Sequence, residues 1–415
     1  MSLKKIFQPV NLFFFLCCVY SLQGVIYATG SMVAKIILMV ILVWSMCLWY
    51  KVNVRNKLLP KFLYALNAFL MLTTIYGAIL IISGKQLYIV ESGTQVSNLD
   101  YLKNIFWSLL PIYVFYEYAR QGKLRESHMR VYSLCLLFLA IVSYLNTAIQ
   151  TSDLSNFDLT SQEFTANVGY SFLAILPLLF FWHKRTIWQF FFLLICFFFI
   201  IISMKRGAIL IGSICFAYFL WITYRNAKGR VKVFIVLLSI VSIFVAVVII
   251  NYLILNNDYF IYRIESTLEG DSSHRDEIYM TYFTHFISET NFFKFAFGNG
   301  ADATLAIGPN YAHNDWLELA INNGCLGLMI YVWYFIALLK DSNTVRRKNQ
   351  LYSKVILMVF IIMFSSTLFS MSYASMSKAL SLAIGFTLAQ IYNKNQIGVQ
   401  SKITLDVEYG GSNAN

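Results

Sequence analysis

Charge is what this sequence has least of. Only 13% of its 415 residues are Asp, Glu, Lys or Arg, against about 25% in an ordinary soluble domain. Nor is there a hydrophilic stretch long enough to form a soluble domain; the longest runs over 256–323. The seven cysteines (17, 18, 47, 135, 196, 215, 325) lie within or at the ends of apolar runs, at no metal-ligand spacing. They read as small packing residues, and neither a zinc site nor a disulfide framework is expected. No internal repeat stands out, which disfavours the repeat-built secondary transporters. The first apolar run starts near Asn11, after Lys4 and Lys5, and lacks a small-residue cleavage site. It therefore reads as a first span rather than a signal peptide.

What the chain has instead is apolar surface: 59% of its residues are hydrophobic and 17% aromatic. A water-soluble core cannot hide that much, whereas lipid accepts an apolar outer face. A helix crosses the hydrocarbon core in about 20 mostly apolar residues. Candidate spans are 11–28, 32–50, 62–82, 104–119, 131–148, 167–182, 187–203, 207–224, 233–255, 324–339, 355–371 and 379–393. The formal charge of +12 comes from short Lys/Arg clusters between these runs, not from a continuous basic stripe, so nucleic acid is not an expected partner.

Cationic loops orient membrane helices toward the cytoplasm. With cytoplasmic termini, the inner segments 1–10, 51–61, 120–130, 183–186, 225–232, 340–354 and 394–415 hold 23 of the 32 Lys and Arg. Moving one span would misplace every later cluster. Fifteen of the 20 acidic residues fall on the outer side. The expectation is one all-α polytopic domain over 1–415 with about 12 transmembrane helices. Its large outer loop, 256–323, precedes span ten. After Arg275, Ile278, Tyr282, Phe283 and Phe286 recur at helical spacing, which suits an amphipathic helix at the membrane surface.

Three features could carry chemistry. Lys205 and Arg206 stand at the outer end of span seven, against the charge rule. They either snorkel to headgroups or form an anion site, where a guanidinium fork matches phosphate oxygens. Gly207 beside them would admit a ligand close to the backbone. Second, Ser273-His274-Arg275-Asp276-Glu277 lies in the large loop. There Arg275 either pairs with neighbouring carboxylates or supplies a second phosphate contact. Glu269, Asp271, Asp276 and Glu277 show no metal-specific spacing. Third is Tyr311-Ala312-His313-Asn314-Asp315-Trp316-Leu317-Glu318, ending at Asn323-Gly324. Asn314 or Asp315 is a credible N-cap and Gly324 a credible helix stop. His313 is then structural, or it is a neutral imidazole at a helix start, able to accept a proton.

His313-Asn314, nine residues, Gly324, two residues, Gly327 resembles the signature of O-antigen ligases and their relatives: His, Asn/Ser/Gln, nine residues, Gly, two residues, Gly/Thr/Tyr. The order of features is similar too: an outer Arg-Gly after a span, a large late loop, a loop Arg, then the His. Phe297-Gly298-Asn299-Gly300 looks like that family's Phe-Gly-x-Gly turn, and Tyr279 stands where the family often has Trp.

The resemblance implies a class C glycosyltransferase-like fold in the bacterial inner membrane. The donor would be an undecaprenyl-diphosphate-linked glycan on the periplasmic face. The acceptor would be a lipid A-core sugar in a ligase or another lipid-linked glycan in a repeat-unit polymerase; a protein O-oligosaccharyltransferase is a third alternative. It further implies that Arg206 and Arg275 hold the diphosphate and that His313 serves the acceptor hydroxyl. Lys205, Gly207, Asn314 and Tyr279 would complete the site, with no metal and no cofactor. From another class, a lipid-glycan flippase or transporter would place ionisable groups near the midplane. Here the suspect residues gather at the outer rim. A non-catalytic assembly scaffold is the remaining alternative.

Overall fold

The computed structural model describes residues 8–392, apart from 57, 91–92, 153–167, 257–260, 262–264 and 266–274. Its elements are α1 (Pro9–Ser21), α2 (Met32–Arg55), α3 (Lys61–Ser83), β1 (Leu87–Ile89), β2 (Thr94–Val96), α4 (Asn98–Leu109), α5 (Pro111–Arg120) and α6 (Glu126–Ser152). Then follow α7 (Val168–Ile175), which tightens into a 3-10 turn over Leu176–Trp182, α8 (Thr186–Ile202), α9 (Arg206–Asn226) and α10 (Arg230–Asn256). The large-loop helices are α11 (Arg275–Ile287), α12 (Phe292–Phe297) and α13 (Thr304–Ile307). The bundle closes with α14 (Asp315–Arg346), α15 (Gln350–Ser366) and α16 (Lys378–Ala389).

Six of these helices are long and apolar enough to cross a membrane: α2, α3, α6, α9, α10 and α14. Shorter apolar helices fill most of the remaining expected spans. The fourth expected span is broken. Proline has no N–H and its ring clashes with the carbonyl four residues back; α4 accordingly ends at Leu109 and α5 begins at Pro111. α5 is buried along almost its whole length and packs chiefly on α16. Their backbones meet at Gly385, where a Cβ would lie 2.7 Å from the Ile112 carbonyl oxygen; small residues permit such close helix approach in membranes. α14 packs on α3 and α15. By contrast, α10 presents Val233, Leu237, Ile240, Val241 and Phe244 outward. Such an apolar face is tolerable only against lipid or another apolar surface. The chain is thus an all-α, multi-pass membrane protein, with strands only in the β1–β2 hairpin among the described residues.

α11 forms where the periodicity predicts a helix, but its packing is different. Ile278 and Tyr282 are buried against Ala303, Ala312 and Ile321, while Phe283 is 49% exposed. One face therefore grips the large loop and the start of α14, leaving Met280, Phe283 and Ile287 facing outward. The β1–β2 hairpin joins the same assembly, because the Val90 N–H donates to the Pro309 carbonyl at 3.1 Å.

Gly324 interrupts α14 as the sequence predicts: its backbone is non-helical, at φ 63°, ψ −159°, and a second helical stretch runs on across the kink to Arg346. The kink frees carbonyls, and the Phe297–Gly300 turn satisfies them. The Asn299 N–H donates to the Ile321 carbonyl (2.9 Å) and the Gly300 N–H to the Asn322 carbonyl (3.0 Å). Gly298 and Gly324 meet backbone to backbone: a Cβ on Gly298 would lie 2.4 Å from the Asn322 oxygen, and one on Gly324 2.5 Å from the Gly298 nitrogen. The two glycine motifs are halves of one joint. Gly298→Ala adds both a left-handed non-glycine residue (φ 82°) and a backbone clash. It should cost roughly 1–3 kcal/mol or more, read as an earlier thermal unfolding midpoint in detergent than Gly93→Ala, whose Cβ meets open space.

Candidate functional site

The first turn of α14 is set by two side chains. Asn314 is its N-cap, its Oδ1 accepting from the Trp316 N–H (2.9 Å) and the Leu317 N–H (3.3 Å). Asp315, fully buried, accepts at Oδ1 from the Ser372 N–H (2.7 Å) and at Oδ2 from the Tyr331 hydroxyl (2.5 Å) and the Ser372 hydroxyl. The Asp315 N–H donates to the Thr367 carbonyl and the Trp316 indole N–H to the Thr367 hydroxyl, both at 2.9 Å. A charge-assisted hydrogen bond is roughly twice as strong as a neutral one. The α15–α16 turn is thereby fixed to the first turn of α14, directly after His313.

His313 is half-buried with φ 50°. Met204, directly before Lys205-Arg206, and Asp302 share this uncommon left-handed backbone, at φ 53° and 51°. They are the three non-glycine residues with positive φ among the described residues. Such strain costs about 1–3 kcal/mol and persists only where the surroundings impose it. All three lie at one end of the bundle.

A cavity of about 680 Å³ opens there. Its wall includes Lys205, Arg275, His313, Tyr170, Asp302, Tyr311 and the run Phe369–Leu380. Besides residues of the expected spans, the lining takes Asp100, Tyr101, Lys205, Arg275, Asp302 and His313 from segments that the charge alternation assigns to one side; none comes from the seven basic segments. Arg275 opens α11, with its Nη1 donating to the Phe369 carbonyl at 3.4 Å. One turn on, the Tyr279 hydroxyl donates to the carbonyls of Leu368 (3.2 Å) and His313 (3.4 Å). Burial raises the Tyr279 pKa, partly offset by the nearby Arg275 cation, so the phenol stays a donor. Tyr279 thus clips the arginine helix to the histidine turn.

Arg206 begins α9 next to Lys205. Gly207 has its own explanation: a Cβ there would lie 2.5 Å from the Tyr170 hydroxyl oxygen and 3.3 Å from the Phe369 Cβ. The close approach at Gly207 is made by protein, and Tyr170 in turn feels the charge of Arg275. The structure therefore gathers Lys205, Arg275 and His313 on one wall, with Gly207, Tyr279 and Asn314 as their supports. Ser273, His274, Glu269 and Asp271 lie outside the described residues; Asp276 and Glu277 are exposed.

Sequence reasoning missed the α15–α16 turn, which supplies the longest continuous stretch of the cavity wall. Its signal was available as a serine-rich interval, Ser365 to Ser377, between two apolar runs. It also missed Glu318. That buried carboxylate accepts from the Thr304 hydroxyl (2.6 Å), the Ala312 N–H (2.9 Å) and the Asn322 amide (3.1 Å), lashing the large loop to α14.

Fold and site together define a multi-pass α-helical membrane protein with a cationic, histidine-bearing cavity at one end of its bundle. Residues 190–332 match the family model described as O-antigen ligase. The matched region contains every site residue predicted from the sequence: Lys205, Arg206, Gly207, Arg275, Tyr279, His313 and Asn314. No curated protein matches the chain.

Proposed function

We propose that this protein is an O-antigen ligase of the bacterial inner membrane, with twelve spans, cytoplasmic termini and the cavity on the periplasmic side. The carrying observation is that Lys205, Arg275 and His313, from three distant segments, line the same cavity. The donor is a glycan on undecaprenyl diphosphate. Arg275 and Arg206, with Lys205, hold the diphosphate and stabilise the charge that grows on it as the glycosidic bond breaks. His313 takes the proton of the acceptor hydroxyl as that oxygen attacks the anomeric carbon from the opposite face, inverting it. The diphosphate is already a good leaving group, so the scheme requires no metal. The 256–323 loop is part of this catalytic site.

A repeat-unit polymerase would use the same donor and the same three side chains, differing only in acceptor. The test is transfer by the purified full chain in liposomes from a radiolabelled lipid-diphosphate glycan. One arm contains lipid A-core and the other contains only more donor. Labelled lipid A-core is expected. Elongated donor without any lipid A-core product would replace ligase by polymerase, and labelled product in neither arm would sink the glycosyltransferase reading.

A further inference from the structure

The cavity has a second wall whose chemistry is opposite to the first. Asp302 is 4% exposed, lines the cavity and receives no hydrogen bond on its carboxyl among the described residues. Beside it, the hydroxyls of Tyr101 and Tyr373 are buried and also without a partner among the described residues. Both tyrosines line the cavity and both lie within electrostatic reach of Asp302. Buried polar groups are almost always satisfied, and each orphan costs about 1–3 kcal/mol. Two orphaned hydroxyls meeting an unbonded carboxyl on one cavity wall suit the hydroxyls of a ligand.

The surroundings agree. Asp100 and Asn104, one turn apart on α4, face the same space, and half-buried Tyr311 adds an aromatic flank. Burial, then the charges of Glu318 and Asp100, push the Asp302 carboxyl up to about 7. Glu318 spends its own oxygens on Thr304, Ala312 and Asn322 and Asp100 pairs with Lys103, so Asp302 is the acid left for a ligand. The left-handed backbone at Asp302 (φ 51°) holds it there at a conformational cost.

We propose that Asp302, Tyr101 and Tyr373, with Asp100 and Asn104, form a saccharide subsite that binds the hydroxyls of an uncharged sugar residue beside the cationic end of the cavity. This rests on the glycosyltransferase reading above. Above about pH 7, where Asp302 is ionised, its carboxylate accepts from two sugar hydroxyls at once and repels a uronate, while a tyrosine hydroxyl both donates and accepts. The sugar is either the acceptor or the donor residue next to the diphosphate; both present the same hydroxyl chemistry.

The experiment is saturation-transfer NMR on the purified full chain in nanodiscs, with methyl glucoside, galactose, N-acetylglucosamine and glucuronate as probes. At least one neutral saccharide should saturate, and glucuronate should not. Asp302→Asn should weaken the neutral saccharide about tenfold, the loss of one charge-assisted bond. Asparagine tolerates the left-handed backbone, so the turn is retained. Tyr373→Phe should weaken it as well, without touching Asp302. Neutral-saccharide binding unchanged in both variants, or absent from the wild type, overturns the subsite. In the transfer assay, Asp302→Asn should raise the KM of one substrate with little change in kcat; which substrate it is separates acceptor from donor. Phosphate-end variants such as Arg275→Ala should leave saccharide saturation intact, so failure of the subsite and failure of the glycosyltransferase reading give different results.

Discussion

Replacing His313 by alanine should lower glycan transfer by about a hundredfold or more, the usual size of a general-base contribution, while donor binding persists. The imidazole shares the cavity wall with Lys205, Arg275 and Lys378, and a neutral imidazole can accept a proton. The Asn314 cap and the Asp315 network hold the backbone on its C-terminal side. Because those contacts belong to residues 314 and 315, removing the ring should leave the α14 start in place. A second variant guards against misfolding: His313→Asn suits φ 50° better than alanine does and lacks a basic nitrogen. Both variants should bind labelled donor in a filter assay at near wild-type affinity and fail in transfer. Binding and transfer that fall together would return His313 to a donor-holding or structural role.

The second large effect belongs to Arg275. Arg275→Ala should reduce transfer by about ten- to a hundredfold, the loss of one charge-assisted contact to a desolvated phosphate, roughly 1.5–3 kcal/mol. Lysine should restore only part of it, since a point charge cannot reproduce the planar fork. Here the loss should appear in donor affinity as well as turnover, opposite to the pattern for His313. The Tyr279 clip remains in Arg275→Ala, because its acceptors are the Leu368 and His313 carbonyls; the helix should stay docked. Arg206→Ala should behave likewise if both guanidinium groups serve one diphosphate. Donor affinity unchanged in purified Arg275→Ala would remove Arg275 from the phosphate site. Raising the ionic strength is a weaker probe, since screening acts mainly on exposed charges.

Membrane residence and the order of apolar segments were legible in composition, because lipid imposes its length and polarity rule on every span separately. The Asn314 cap was legible too, since capping is a property of a few consecutive residues. So was the helix break at Gly324, although nothing local reveals that Gly298, 26 positions earlier, lies against it, or that the Asn299 and Gly300 N–H groups satisfy the freed carbonyls. Pro111 carried a legible break that apolar averaging across 104–119 concealed.

Tertiary structure alone decided the composition of the cavity. Asp315 and Ser372 are 57 residues apart, and their hydrogen bond places the α15–α16 turn in the wall. Tyr101, Asp302 and Tyr373 come from three separate parts of the chain, and each in isolation reads as an ordinary polar residue near a span end. Burial without a partner exists only after packing has excluded water and every nearby donor has been assigned. Local sequence determines how each segment sits in a membrane; which segments meet, and what their side chains are left to bind, depends on long-range packing that no short motif encodes.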